Sequence, residues 1–353
     1  MWITRKAVVF CAILFGDNRG LRFLVLTSVS AFFICGGIVL KNHRIKEFPR
    51  YDITQRYPNV LVIGNGLIKS SAISNQTNSW GESIYCLTDK EVTDEEKSRF
   101  EGIPYSVVAS INASFDDTER QNRYIGVFQS QRLQPNSILE RLARLQFDSI
   151  LTTNYTYEIE NVFNDHYSSL KDKSKYVQKK SETTDGKYLL HYFNRINSSP
   201  EIWHIHGELR RKSSIILTHD EYARLIHKII ERNKNIGNRY KLHEKDLNFS
   251  SWVDYFILGN LYIIGLGMDF SEFDLWWLLN RRKREKAKCG KIHFFASKKD
   301  SEKVCTAIEK FGASVHRYTE LDNQFFSEGE YFNAFYNKAV DEIENLLNKE
   351  REK

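Results

Sequence analysis

The sequence predicts an α/β fold, a doubly wound and mainly parallel sheet with a helical insertion. From Tyr57 onward, short apolar runs recur without the alternation of a half-exposed strand, as expected for parallel strands buried on both faces. Helical and polar stretches separate these runs, which is the order of elements in doubly wound sheets. The 353 residues are 41% hydrophobic and 27% charged, enough core for one large domain or two modest ones. We therefore expect a Rossmann-like arrangement.

Six apolar runs are the candidate strands of this sheet. They cover residues 60–64, 105–109, 149–153, 202–206, 261–265 and 293–296. Amphipathic patterns predict helices over residues 136–146, 156–170, 219–235, 271–288, 300–311 and 329–350. The polar stretch 171–187 is typical of a loop. We expect one domain over residues 51–350, with helical insertions near 156–200 and 219–258.

Residues 1–50 differ in composition from the rest of the chain. Residues 23–40 contain no charged side chain, and 18 such residues are just long enough for one membrane span. They lie too far from the start to resemble a cleaved signal peptide. More basic residues follow this stretch than precede it, which favours an inner-membrane anchor with the C-terminal part in the cytoplasm. The alternative is a buried hairpin or helix, or an upstream extension from a misplaced start.

Composition also limits the kinds of partner and metal. The net charge of +6, from 51 basic and 45 acidic residues, is small for this length and gives no reason to expect specific nucleic-acid binding. The five cysteines are far apart and form no Cys-x-x-Cys pair, which indicates a reducing compartment and argues against a structural zinc ribbon. Metal-capable side chains between His219 and His227 form no compact ligand set. We expect no metal.

Ligands bind at the carboxyl ends of the strands in sheets of this kind. Gly64, Asn65 and Gly66 directly follow the first candidate strand, and Ser70 is close behind. Glycines at this point let backbone amides approach a pyrophosphate, and a following helix N-terminus favours its negative charge. A plain tight turn is the structural alternative.

Three later strand ends also carry polar or glycine residues. Thr153 and Asn154 end the third candidate strand, where either could instead cap the following helix. His206 ends the fourth, where a structural histidine is the alternative to a catalyst. Gly265 and Gly267 form a second glycine turn, after the fifth. The order and placement of these features together are more specific than any one of them.

These motifs resemble those of a known family. G-N-G at 64–66, L-T-T-N-Y at 151–155, H-I-H-G at 204–207 and I-I-G-L-G-M-D-F-S-E-F-D at 263–274 resemble the sirtuin-like proteins, most closely the bacterial branch that hydrolyses NAD in antiphage defence. The resemblance implies that NAD is the substrate and that Asn154 and His206 are the catalytic pair. It implies cofactor-binding roles for Gly64, Gly66, Gly265 and Gly267. We expect the same role for three residues beside these motifs, Asn65, Ser70 and Thr153.

Three departures from the family's pattern bear on the reaction. Thr156 stands where the family often has aspartate, and Asn65 where alanine is common, and both point to altered substrate geometry. The I-G-N-G run also resembles the start of a related abortive-infection family. The paired cysteines that hold the zinc ribbon of deacylating sirtuins do not occur in this sequence, so protein deacylation is disfavoured.

The residue types at these positions suit cleavage of a glycosidic bond. Departure of nicotinamide builds oxocarbenium character on the ribose carbon. An amide such as Asn154 can hold a ribose hydroxyl or the attacking water, and an imidazole such as His206 can accept a proton near neutral pH. In a strand, His204 points to the same side as His206, where it could orient or relay, or have a structural role.

The sequence therefore predicts an NAD glycohydrolase that releases nicotinamide and ADP-ribose, acting in the cytoplasm as an effector of abortive infection. Two alternatives stay open: a module that senses NAD or ADP-ribose without turnover, and an ADP-ribosyl transferase. The resemblance implies restraint until an infection signal arrives, through an activating or inhibiting partner protein. Homo-oligomerisation and membrane attachment through residues 23–40 are further expectations.

Overall fold

A computed structural model gives the architecture of most of the chain after residue 49. The residues that it describes are 50–53, 55–69, 80–85, 87, 92–112, 119, 122–123, 126, 137–169, 200–209, 214–239, 247–249, 251–284, 289–324 and 327–352. The apolar stretch 23–40, Ser70 and the polar stretch 171–187 lie outside these residues and stay predictions. Within the described residues, no helix combines the length and apolar character that a membrane span requires.

The described strands form one large sheet and one small one. They are β1 (Arg50–Tyr51), β2 (Asn59–Ile63), β3 (Ser149–Thr152), β4 (Glu201–His204), β5 (Leu247–Asn248), β6 (Asn260–Ile264), β7 (Ile292–Phe295) and β8 (Ser314–His316). The large sheet has the order β4-β3-β2-β6-β7-β8, and all its neighbouring strands are parallel. β1 and β5 pair separately and antiparallel. The predicted doubly wound, parallel α/β fold is confirmed.

The helices cover both faces of this sheet. They are α1 (Asn65–Lys69), α2 (Trp80–Tyr85), α3 (Asp94–Arg99), α4 (Tyr105–Asn112), α5 (Ser137–Arg144), α6 (Glu158–Ser169), α7 (His219–Arg239), α8 (Trp252–Leu258), α9 (Phe273–Arg284), α10 (Glu302–Lys310) and α11 (Glu328–Arg351). Successive residues of a strand point to opposite faces. Val60 and Val62 accordingly join a core with side chains of α7, α8, α9 and α10, whereas Leu61 and Ile63 join a core with α5, α6 and α11.

The chain reverses its direction of travel across the sheet between β2 and β6. From β2 it moves outward through β3 to β4, and from β6 it moves outward on the other side through β7 to β8. Such a reversal leaves a crevice at the carboxyl ends of the two central strands, where α/β proteins bind their ligands. The two glycine turns predicted from the sequence flank this point.

Five of the six candidate strands are confirmed, and the run 105–109 is wrong because it is the start of helix α4. Pro104 begins the helix by accepting hydrogen bonds from the backbone amides of Val107 and Val108. Ser106, Val108 and Ala109 are buried while Ser110 and Ile111 are exposed, which is a helical pattern. A short apolar run cannot be assigned by periodicity alone, and Pro104 was the informative neighbour.

The sixth strand of the sheet is β8, which the sequence analysis missed. Its sequence Ser-Val-His has no apolar run, and it lies half-exposed at the edge of the sheet. The predicted strand 202–206 is shortened, because residues 205 and 206 form a turn after β4. The expectation that His204 and His206 point to the same side therefore fails, since the strand ends between them.

Candidate active site

Asn154 and His206 lie side by side at the carboxyl edge of the sheet. The parallel register pairs Thr152 of β3 with His204 of β4, and each candidate residue follows two positions later in the chain. The backbone amide of Ile205 donates to the Thr152 carbonyl at 2.9 Å, which extends the pairing beyond the strand ends. Neighbouring strands are about 4.8 Å apart, so the two candidate residues occupy adjacent positions.

The backbone of Asn154 is fixed, while its side chain is not satisfied. The hydroxyl of Thr152 donates to the Ile63 carbonyl at 2.9 Å and accepts from the Asn154 amide at 3.1 Å, which joins the end of β3 to the end of β2. The Asn154 side chain is buried, with 6% of the residue exposed. Its Nδ2 has no hydrogen-bond partner among the described residues. A buried donor without a partner costs about 1–3 kcal/mol, which marks this atom as one awaiting a ligand.

His204 holds the Asn154 loop from beneath. Its Nδ1 lies 2.6 Å from the Asn154 carbonyl oxygen, and its Nε2 contacts a carboxylate oxygen of Glu160 in α6. Burial disfavours the charged imidazole, but the Glu160 carboxylate outweighs burial and raises the pKa of His204 to about 9. Because both ring nitrogens face oxygen acceptors, both carry a proton. His204 is therefore a structural cation.

A glycine turn fixes the backbone of His206. Gly207 has a φ of 93°, in the left-handed region that favours glycine. A Cβ at this position would overlap the Ser214 carbonyl and lie 2.7 Å from the Ile215 nitrogen, so no other residue fits without displacing the backbone. The Ile216 amide donates to the His206 carbonyl at 2.8 Å. The segment 214–217 thus holds His206 in place.

The His206 imidazole contacts two side chains from helices that cover the same face of the sheet. Its Nε2 lies 3.0 Å from Oδ2 of Asp274 in the first turn of α9. Its Nδ1 lies 3.4 Å from the hydroxyl of Tyr222 in α7, whose ring is edge-on at 5.2 Å. Both His206 and Asp274 are buried, at 2% and 0% exposure. The arrangement is a carboxylate, an imidazole and a hydroxyl in a row.

A second buried carboxyl group lies beside Asp274. Burial raises the pKa of Glu272 well above its ordinary value, and the nearby Asp274 and Asp269 carboxylates add to the effect. Oε2 of Glu272 and Oδ1 of Asp274 have no hydrogen-bond partner among the described residues. Beside His206, two more buried polar atoms are therefore available to a ligand.

The two glycine turns pack against each other. A Cβ on Gly64 would lie 2.5 Å from the Leu266 Cα, and one on Gly265, whose φ is 66°, would lie 2.5 Å from the Leu67 nitrogen. The Gly66 amide donates to the Gly265 carbonyl at 2.8 Å. That amide, expected from the sequence to face a pyrophosphate, is thus already engaged. The close packing of the two backbone turns is enough to explain why these positions are glycine.

The remaining cofactor-binding candidates are distributed around this crevice. Asn65 is half-buried as the first residue of α1, and Thr153 is half-buried between Thr152 and Asn154. Gly267 is exposed, and the atom nearest to a Cβ there would be Oδ1 of Asp300, at 3.7 Å. A small side chain at Gly267 would therefore fit beside the crevice at ordinary contact distance. Among the described residues, no group of three or more metal-capable side chains comes together.

Sequence reasoning missed Asp274, Tyr222 and Glu160 as members of the site. Asp274 is the last residue of the I-I-G-L-G-M-D-F-S-E-F-D motif, so attention to its acidic residues could have found it. Tyr222 lies in the predicted helix 219–235, and Glu160 in the predicted helix 156–170. Nothing in the sequence marks either one, because only tertiary packing brings these helices to the histidines.

The comparison with known families agrees with the geometry. Residues 148–315 match the model of a family described as SIR2-like domain. The match runs from the start of β3 into β8, so it includes Asn154, His206 and Asp274. The first glycine turn precedes it. No curated protein is significantly similar to the chain.

Proposed function

Since the chain carries a SIR2-like domain over residues 148–315, we propose that it is an NAD glycohydrolase that releases nicotinamide and ADP-ribose. SIR2-like domains are typically NAD-dependent enzymes. The observation that carries the proposal is the unsatisfied Nδ2 of Asn154, buried next to His206 at adjacent strand ends. A buried amide can donate a hydrogen bond to a ribose hydroxyl or to an attacking water, and the adjacent imidazole can accept a proton.

The reaction replaces one bond to the ribose C1′ by another. The bond from C1′ to the nicotinamide nitrogen breaks, and its electron pair leaves with neutral nicotinamide. A water oxygen bonds to C1′ through an oxocarbenium-like transition state. The second proton of that water passes to a base and then to solvent. The products are nicotinamide, ADP-ribose and one proton.

Asn154 positions the reacting groups in this scheme. Its backbone is held from two sides, by Thr152 and by the His204 cation, so the side chain is presented from a rigid support. Its Nδ2 would donate to a ribose hydroxyl oxygen or to the attacking water. Such positioning removes translational and rotational freedom of the reactants when they bind, before the transition state is reached. It lowers the activation barrier by up to several kcal/mol.

His206 accepts the proton. Of the two histidines in the H-I-H-G motif, His204 already carries protons on both nitrogens, whereas His206 faces one carboxylate and one hydroxyl. Of these two residues, only His206 therefore has an acceptor nitrogen. An imidazole in this role typically accelerates a reaction by about 10²- to 10⁴-fold.

The dinucleotide would lie along the carboxyl edge of the sheet, from His206 to the crevice between β2 and β6. The nicotinamide riboside half would contact Asn154, Thr153 and His206. The other half would pass the glycine turns, where Gly66 and Gly267 are exposed. Gly64 and Gly265 would support this surface through their mutual packing rather than through contact with the phosphates.

The direct test is incubation of the purified protein with NAD and separation of the products. Free nicotinamide and free ADP-ribose in equal amounts are the expected result. Binding of NAD without any product would favour a sensing module. Nicotinamide without free ADP-ribose, with label from adenine-labelled NAD on a macromolecule, would favour ADP-ribosyl transfer.

The biological setting is a further proposal, which rests on the motif resemblance. We propose that the cleavage depletes cytoplasmic NAD during abortive infection and that a partner protein restrains or triggers it. Homo-oligomerisation and an inner-membrane anchor at residues 23–40 belong to the same proposal. Expression with candidate partners, followed by NAD measurement in the cells, tests this setting separately from the chemistry.

A further inference from the structure

We infer that Asp274 is a positioning residue that fixes His206 with its proton on Nε2, so that Nδ1 is the atom that accepts the proton in the reaction. The structural half of this inference concerns the tautomer of His206 in the ground state and does not depend on any enzymatic activity. The catalytic half rests on the proposed NAD glycohydrolase function.

The geometry places a single hydrogen bond between Asp274 and His206. Oδ2 of Asp274 is 3.0 Å from Nε2, and both residues are shielded from solvent. Either the imidazole donates to a carboxylate, or a protonated carboxyl donates to the imidazole. The two alternatives leave the opposite ring nitrogen with opposite properties.

The position of Asp274 in the fold favours a hydrogen bond in which the imidazole donates to the carboxylate. Asp274 lies in the first turn of α9, a helix of 12 residues, where the positive end of the helix dipole stabilises negative charge. A carboxylate can only accept a hydrogen bond, so Nε2 donates and the neutral ring has its lone pair on Nδ1.

Tyr222 shows from which side a hydroxyl approaches Nδ1. Its oxygen is 3.4 Å from Nδ1, longer than a normal hydrogen bond, and its ring is edge-on to the imidazole. The contact is loose enough for a substrate hydroxyl or water to take its place. The Asp274 carboxylate on the far side then stabilises the imidazolium that forms.

The proton balance follows from this geometry. As the water oxygen bonds to C1′, its proton moves to Nδ1, and Nε2 keeps its proton in the hydrogen bond to Asp274. The imidazolium later releases the Nδ1 proton to solvent. Asp274 neither gains nor loses a proton in the cycle.

Nitrogen-15 NMR of protein labelled at its histidines tests the tautomer without any turnover. The His206 signals are assigned by their loss in His206→Gln. We expect the wild-type protein to show a protonated Nε2 and an unprotonated Nδ1. In Asp274→Asn the new amide can donate to Nε2, so we expect the proton to move to Nδ1.

Kinetics of the same variants test the catalytic half. Asp274→Asn should lower kcat for NAD cleavage by about 10²-fold or more with a much smaller change in KM, because the base nitrogen is now protonated. The matched control is Asp254→Asn, which removes another buried carboxylate, the one that accepts from the Ser251 amide at the start of α8. It should change stability but neither the His206 tautomer nor kcat.

The two inferences fail separately. A wild-type His206 protonated on Nδ1, or an unchanged tautomer in folded Asp274→Asn, overturns the positioning role. A tautomer that moves as expected in a protein that cleaves no NAD leaves that role intact and overturns the proposed function. If Asp274→Asn does not fold, the wild-type tautomer alone decides the structural half.

Discussion

Two stretches of the sheet's carboxyl edge differ in how their polar groups are used. Between β2 and β6, the backbone amides of Gly64 and Gly66 are paired within the protein, and the glycines are explained by one turn packing on the other. Next to them, Nδ2 of Asn154 after β3 has no partner among the described residues, and neither does Oδ1 of Asp274, the α9 residue that contacts His206 after β4. The glycine motif is the more evident feature of the sequence. The buried polar atoms without a hydrogen-bond partner, however, lie in the second stretch.

The difference shows that a glycine motif does not by itself indicate a ligand site. A glycine can be required because another backbone lies too close for a side chain, with no ligand involved. A buried donor without a partner has no such internal explanation, because burial without a hydrogen bond is unfavourable. We therefore expect substitutions after β3 and β4 to change activity, and substitutions in the glycine turns to change stability.

The largest expected effect is the loss of activity in Asn154→Ala. NAD cleavage should fall by about 10²-fold or more, because the positioning amide is gone. Stability should change little, since Nδ2 has no described partner to lose. His206→Ala should show a comparable loss of cleavage. Steady-state kinetics together with thermal unfolding measure both properties.

Asn260→Ala is the matched control for that variant. Asn260 is equally buried, at 5% exposure, but its side chain donates to Asn59 at 3.0 Å and accepts from the Lys291 amide at 2.9 Å. Its removal should cost about 1–3 kcal/mol of unfolding free energy and leave kcat of the folded protein unchanged. The opposite pattern in the two variants would refute the distinction between satisfied and unsatisfied asparagines.

The next effect compares two glycines of the crevice. Gly64→Ala should destabilise the protein by about 1–3 kcal/mol or more, because its Cβ meets the backbone of Leu266. Gly267→Ala should leave stability unchanged, because ordinary contact distances surround that site. Chemical denaturation measures both. If Gly267→Ala also raises KM for NAD, the dinucleotide passes this glycine.

Gly66→Val tests backbone packing and NAD binding in one variant. A Cβ there lies 2.9 Å from the Gly265 oxygen and 3.0 Å from the Tyr336 hydroxyl, so we expect lower stability. The sequence also predicts a raised KM for NAD or a loss of activity. A stable variant with unchanged kinetics would contradict both expectations.

A smaller effect is expected in the pH dependence of stability. The pKa of His204 rises from 6.5 to about 9 on folding, because the Glu160 carboxylate outweighs the opposing effect of burial. A raised pKa contributes stability that is complete below pH 6.5 and is lost as the pH rises through about 9. The difference in unfolding free energy between wild type and His204→Gln should therefore shrink over that interval. A difference that stays constant over that interval would show that His204 is neutral in the folded protein.

The smallest effect is expected from removal of residues 1–48. Both compared regions lie within residues 59–316, and β2 begins at Asn59, so cleavage and unfolding should be unchanged. The full chain should sediment with membranes and resist extraction by salt or alkali if residues 23–40 are an anchor. A full-length protein found entirely in the supernatant would exclude the anchor. Aggregation of the truncated form would instead indicate that the removed segment completes the core.

The sequence was sufficient for those parts of the fold and site that depend on local pattern. Five strands were predictable because runs such as 261–265 are apolar throughout, as burial on both faces requires. Asn154 and His206 were identifiable because each follows such a run. The edge strand β8 and the helix α4 were not, since a half-exposed strand lacks an apolar run and a short apolar helix resembles a strand.

The partners of the catalytic candidates depend on long-range packing. Asp274 is 68 residues from His206 in the chain, and Glu160 is 44 residues from His204. No spacing rule connects residues on a strand end to residues on separate helices. The same packing engages the Gly66 amide, which the sequence alone had left available for phosphate.

The register of the central strands has a consequence for the order of events during synthesis. β2 pairs with β6 along its whole length, and the hydrogen-bonded Asn59 and Asn260 are 201 residues apart in the chain. One side of β2 therefore has no partner until β6 has left the ribosome, and Asp274 emerges later still. Contacts this distant in sequence form slowly. A nascent chain thus cannot assemble the His206–Asp274 pair until α9 has emerged, and we expect the proposed NAD cleavage to begin only after that point in translation.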